Sequence, residues 1–156
     1  MSKVRVIVAA VAVSAAGLGF LTQHEGKVNK TYADPAHGWA VPTVCVGHTA
    51  TAVRGRWYSD AECLALLEQD AKVASDAVLR RTKVPLTQGE LDAYTSFVFN
   101  VGESAYAKST LLRLLNSGER RAACDQLLRW TYANGKQLKG LVTRRAEERK
   151  LCLRDL

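Results

Sequence analysis

The spacing of apolar residues changes along the chain, and each change marks an element. Val6 to Leu21 form a continuous apolar run of sixteen residues, preceded by Lys3 and Arg5. Polar residues return over 23–30, read as the end of a helix that Gly26 can terminate. Residues 31–58 then mix Pro35, Gly38, Pro42, Gly47 and Gly55 with Val, Thr, Tyr and Trp, the composition of a small β-hairpin with turns. Ser59-Asp60-Ala61-Glu62 is a capping box, in which hydroxyl and carboxylate satisfy each other's backbone amides. Behind it Leu64, Leu67, Ala71, Ala74 and Val78 recur at helical spacing. Pro85 breaks that pattern, and Thr87-Gln88-Gly89-Glu90 opens a second helix with Leu91, Tyr94, Phe97, Val98 and Val101 as its apolar stripe. Leu111 to Leu115 predict a shorter helix stopped near Ser117-Gly118, and residues 119–132 and 141–153 predict two more. The fold class expected is α+β: a mostly helical domain with one small β-hairpin sheet near its start.

The first segment bears on location. A basic start followed by an apolar run is an export signal with its N-terminus in the cytoplasm. It reads as a cleaved signal, with Ser14-Ala15-Ala16 as a small-residue cleavage site, as a permanent anchor, or as a weak anchor that inserts and later leaves. A permanent span normally needs about 20 residues. Eight of the sixteen residues are Ala, Gly or Ser, and at roughly 0.8 kcal/mol per buried CH₂ such side chains hold lipid poorly. Composition therefore favours the weak anchor, with a domain division at 1–22 and 23–156.

Length and composition agree with one globular domain. At 156 residues and 47% apolar content the chain can bury a core. The net charge of +7 is concentrated late, where Arg113 to Arg154 contain eleven Lys/Arg against four acids. That surface suits an anionic partner or is a solvated helix face; no aromatic-interleaved basic motif accompanies it, so nucleic acid is not expected. Cys45, Cys63, Cys124 and Cys152 are even in number and include no Cys-x-x-Cys pair. In an exported chain they read as two disulfides, and Cys45–Cys63 with Cys124–Cys152 joins neighbouring elements, one connectivity of three. Cys45 with His48 also admits a thiol hydrolase, and with His24 and His37 a metal site, but no second ligand pair of standard spacing appears. No metal, nucleotide or organic cofactor is expected.

The chemistry that stands out lies between the anchor and the hairpin. Asp34 follows Glu25 by nine positions and Thr43 follows Asp34 by nine. Cleaving a glycosidic bond requires a protonated group for the leaving oxygen and a base or nucleophile on the other side. Glu25, closing a helix that begins in apolar sequence, suits the proton donor, which needs a shielded apolar setting; Asp34, in a Pro/Gly-rich turn, suits the ionised base. Thr43 is placed to hydrogen-bond the attacking water.

The pattern Glu25-Gly26…Tyr32-x-Asp34…Thr43-Val44-x-Val46-Gly47-His48-Thr49 closely resembles the bacteriophage-type muramidases of glycoside hydrolase family 24. Phe97-Val98-Phe99-Asn100-Val101-Gly102 and Gly140-Leu141-Val142-x-Arg144-Arg145-x-x-Glu148 resemble that family's central-helix and C-terminal motifs. The resemblance spans about residues 20–153. It implies a lysozyme-like fold, a monomer, and an endolysin that cuts the β-1,4 bond between N-acetylmuramic acid and N-acetylglucosamine in peptidoglycan, causing host lysis. It also implies Glu25 as general acid, Asp34 as the residue activating water by inversion, Thr43 as its helper, and Gly47 lying against glycan. His48, Phe99, Asn100, Trp130 and Tyr132 are further candidate sugar contacts. One departure is an Asp-to-Thr loop lengthened by Ala40-Val41-Pro42.

Anchor and site together resemble signal-arrest-release endolysins: an enzyme tethered to the inner membrane through residues 6–21, inactive there, then released to the periplasm. No cysteine lies in residues 1–44, so thiol exchange with the anchor is not the expected trigger. A lytic transglycosylase acting on the same bond and a non-catalytic basic wall-binding protein are the alternative readings.

Overall fold

The computed structural model describes residue 10 and residues 12–156, so most of the expected anchor lies outside the described residues. Its end does not: α1 runs Ala15–Glu25, with the Ser14 side chain accepting from the Gly17 amide at its start. Gly26 ends it with φ +72°, its amide returning to the Thr22 carbonyl, a left-handed backbone that glycine adopts without steric cost. The expected division at 22/23 falls inside this helix. Among the described residues no helix is long and apolar enough to cross a membrane.

The hairpin follows as expected. β1 (Val28–Asp34) pairs antiparallel with β2 (Gly38–Cys45), in a register that sets Tyr32 opposite Thr43 and Asp34 opposite Gly38. Both capping boxes form, Ser59 with Glu62 at the head of α2 (Asp60–Arg81) and Thr87 with Glu90 at the head of α3 (Gln88–Val101). Helix α3 is buried without a break from Gly89 to Val98, which makes it the axis of the domain. Around it lie α4 (Glu103–Ala107), α5 (Thr110–Asn116), α6 (Arg120–Gln126) and α7 (Lys139–Leu153). Tyr94, Phe97, Leu91, Leu111, Leu115 and Leu127 fill the main core. A smaller core of Leu21, Val46, Leu67 and Ala71 joins α1, the hairpin and α2.

Residues 119–132 do not make one helix. Helix α6 stops at Gln126, a 3₁₀ turn covers Leu127–Arg129, and a second hairpin follows, β3 (Tyr132–Ala133) with β4 (Lys136–Gln137). Its turn is Asn134-Gly135, both with positive φ, the pair favoured in two-residue hairpins because it matches strand twist. Trp130, packed edge-on against Phe97 with ring centroids 5.1 Å apart, anchors the chain where the helix gives way. Disulfides join Cys45 to Cys63, hairpin to α2, and Cys124 to Cys152, α6 to α7.

Candidate active site

Because Gly26 stops α1, Glu25 is its last residue, with its side chain 23% exposed. Its surroundings differ from the apolar setting expected. Arg144 Nη1 donates to Glu25 Oε1 at 2.6 Å, while the other oxygen, Oε2, lies 3.9 Å from where a Cβ on Gly47 would stand. A side chain at Gly47 would therefore occupy space beside the carboxyl group.

Arg144 is itself held by α3 and α7. Its Nε donates to Glu148 Oε1 at 3.1 Å, and its Nη2 to the carbonyl and hydroxyl of Ser96 at 3.1 and 3.2 Å. Ser96 Oγ donates to Glu148 Oε1 at 2.7 Å. Arg145 adds two bonds to Glu148, at 3.0 and 2.9 Å, one to the Trp130 carbonyl, and one to Asn100 Oδ1. Two guanidinium groups thus share one carboxylate that is 0% exposed. Buried charges persist only when paired and hydrogen-bonded in this way. Burial pulls the Arg145 guanidinium below its ordinary pKa and the Glu148 charge opposes that pull.

Asp34 closes β1. Its Oδ1 accepts from the amides of Ala36 and His37, at 2.9 and 2.8 Å, and from His37 Nδ1 at 3.0 Å. The His37 amide, followed by those of Ala36 and the His37 ring, holds this carboxyl below the usual carboxylate range against the opposing effect of desolvation. Three donors converge on one oxygen, and Oδ2 takes none among the described residues, so it is the oxygen open to a water. Tyr32 precedes Asp34 by two residues on β1, and its hydroxyl pKa is raised first by burial, then by the charges of Asp34 and Glu25.

The remaining candidates divide. Thr43 stands opposite Tyr32, 4% exposed, its hydroxyl donating to the Val41 carbonyl at 3.2 Å. Phe99 is half-buried and lines, with Gly47, Val98 and Gly102, a cleft of about 400 Å³. Asn100 is exposed but its amide oxygen is held by Arg145, and Trp130 is half-buried against Phe97. Tyr132, 65% exposed on β3, stands apart from this network. His48 is 2% exposed, with Nδ1 on Asp70 at 2.7 Å and Nε2 accepting from the Thr51 amide at 3.1 Å. Both nitrogens are engaged, and His48 fastens the hairpin to α2.

The histidines and Cys45 do not converge. His24 pairs with Glu147, His37 with Asp34 and His48 with Asp70, and Cys45 is consumed by its disulfide, leaving no thiol nucleophile. Among the described residues no three His, Cys, Asp or Glu side chains are gathered as a metal would require. The motif holding Arg144 and Glu148 is visible in the sequence, but the contact of Arg144 with Glu25 is not. The i, i+4 spacing of Arg144 and Glu148 on a helix was the available signal.

Comparison with known proteins identifies the family of the chain. The phage lysozyme family model matches residues 22–148. A SAR-endolysin of bacteriophage PS119 is 46% identical over 130 residues, 83% of this chain and 76% of that relative. The crystal structure of the P22 lysozyme mutant L86M superposes with a TM-score of 0.82 at 34% identity, covering 92% of this chain and 99% of that one. The active form of the P1 phage endolysin Lyz gives the same TM-score at 26% identity, over 92% of this chain and 85% of that one.

Proposed function

The chain belongs to the phage lysozyme family and is a glycosidase of the muramidase type acting on peptidoglycan; from that premise we propose that Glu25 and Asp34 hydrolyse the β-1,4 bond between N-acetylmuramic acid and N-acetylglucosamine. The supporting observation is the unlike setting of the two carboxyl groups: Glu25 meets Arg144 and the open side of Gly47, while Asp34 is held through one oxygen by Ala36 and His37. Protonated Glu25 gives its proton to the glycosidic oxygen as the C1–O bond breaks. Asp34, kept ionised by its donors, takes a proton from the water that attacks C1 on the opposite face. Arg144 receives the carboxylate that proton transfer leaves on Glu25. Gly47 leaves the approach to Glu25 open, and Thr43 supports the water side from its place opposite Tyr32.

The test is product chemistry with two variants. Purified enzyme yields new reducing ends and no anhydro sugar, which separates hydrolysis from lytic transglycosylation. Glu25→Gln and Asp34→Asn each lower the rate by roughly 10²–10⁴, the usual worth of a positioned acid or base. A fully active Glu25→Gln enzyme overturns the assignment.

We further propose that residues 6–21 tether the exported enzyme to the inner membrane until release to the periplasm, after which their distal part joins the domain. Support comes from how the described end is seated. Ser14 offers its amide (2.9 Å) and hydroxyl to the buried Asp92, and Gln88 Nε2 donates to the Ala12 carbonyl at 2.9 Å. Gly17 lies so close to Asp92 that a Cβ there would meet its carboxyl at 2.8 Å. The helix so seated carries Glu25, and tethering denies the domain that seat. Gly19 has open space around it, so Gly19→Leu strengthens the membrane hold without disturbing the docked form. The expected result is prolonged membrane fractionation and delayed lysis with unchanged turnover by released enzyme; unaltered fractionation sinks the tether.

A further inference from the structure

We propose that Arg54, held on Trp39 next along β2 from the residue paired with the candidate base, is a subsite for the carboxylates of the stem peptide that peptidoglycan carries on its muramic acid. This rests on the muramidase reading above and extends it from the glycan to its peptide.

The Arg54 guanidinium lies over the Trp39 ring, 4.3 Å from its centroid. Trp39 is 40% exposed and Arg54 is exposed. Arg54 has no acidic partner among the described residues. Its near neighbour Arg56 provides the contrast: it too stacks on an aromatic ring, that of Tyr58 at 4.4 Å, but it is paired with Glu62 at 2.6 Å. One stacked arginine is neutralised by the protein, and the other is left with its fork of donors unmatched.

Position gives that difference meaning. Trp39 directly follows Gly38, the residue opposite Asp34 in the sheet, and lies in the lengthened stretch between Asp34 and Thr43; Arg54 is held on it. Where muramic acid carries a stem peptide, its lactyl carboxyl is consumed in the amide bond to that peptide, so a guanidinium alongside the strand finds no anion on the sugars themselves. The stem peptide supplies carboxylates at the muramic acid. A planar guanidinium matches a carboxylate through two parallel hydrogen bonds, and stacking on tryptophan fixes its plane beforehand, which reduces the ordering cost of binding.

The experiment uses the full chain, released and purified, on two substrates: peptidoglycan glycan strands with stem peptides, and the same strands with their stem carboxylates coupled to ammonia by a carbodiimide to give carboxamides. Arg54→Gln is expected to lose roughly tenfold in kcat/KM on strands with free stem carboxylates, the equivalent of about one charge-assisted contact, chiefly through KM, and to match wild type on the carboxamide strands. Trp39→Leu follows it in the same direction, and Arg54→Lys falls between, having charge without the fork. A free stem tripeptide inhibits wild type more strongly than its carboxamide form and loses that advantage against Arg54→Gln. Equal loss on both substrates, or no loss on either, overturns the subsite. Wild type that cleaves neither substrate overturns the muramidase reading itself, so the two failures are distinct.

Discussion

Arg144 shows how much one side chain can hold. It touches Glu25 with one nitrogen and Glu148 and Ser96 with the others, so its loss acts on chemistry and stability together. Arg144→Met leaves Glu148, 0% exposed, with Arg145 and Ser96 but one cation fewer; removing one member of a buried ion network costs about 3–5 kcal/mol. Urea denaturation is expected to record that loss, and turnover on cell walls to fall with it. Asp34 gives a pH prediction. Its carboxyl is depressed by the His37 amide and its companions, so in the folded protein it stays ionised to lower pH than in the unfolded chain. Its stabilising contribution is present above the unfolded carboxylate value and disappears as pH falls through the lower folded value. The acid limb of kcat/KM should accordingly fall below the ordinary aspartate value of about 3.9, and an acid limb above it counts against Asp34 as the base.

Among the elements, α1 and α7 meet at Glu25 and Arg144, and α3 sets their separation. Gly89 at the head of α3 is within 2.4 Å, by its absent Cβ, of the Leu151 carbonyl on α7. Gly89→Ala must push these helices apart, at about 1–3 kcal/mol by the usual cost of overpacking. Activity is expected to fall along with thermal stability, because α7 carries Arg144 and α3 carries Ser96; a variant that loses stability but keeps full turnover would show that the two helices do not set the site. The hairpin is fastened differently. His48 reaches Asp70 on α2 at 2.7 Å, and the Cys45–Cys63 bond does the same a few residues away.

Over the whole molecule, two disulfides and paired arginines hold elements that the core alone joins weakly. The Cys45–Cys63 loop spans 18 residues, and closing a loop of about this size is worth roughly 3 kcal/mol on the chain-entropy model. Cys45→Ala with Cys63→Ala should lower the denaturant midpoint accordingly; an unaltered midpoint would make this bond structurally neutral. Reading the sequence alone left the late basic charge undecided between an anionic partner and a solvated face. Part of it is neither: Arg144 and Arg145 are 4% and 1% exposed, and Arg120 is spent on the buried Glu90. Local order was legible because its causes are local. The capping boxes at Ser59 and Thr87, the stop at Gly26 and the hairpin between Asp34 and Gly38 each depend on residues a few positions apart, as did the placing of Glu25 and Asp34 on a helix end and a turn. The Glu25–Arg144 contact across 119 positions, the burial of His48, the seat of Ser14 on Asp92 and the break after Gln126 were not legible. Each depends on which surfaces meet once the chain has collapsed, and spacing along the chain does not encode that meeting.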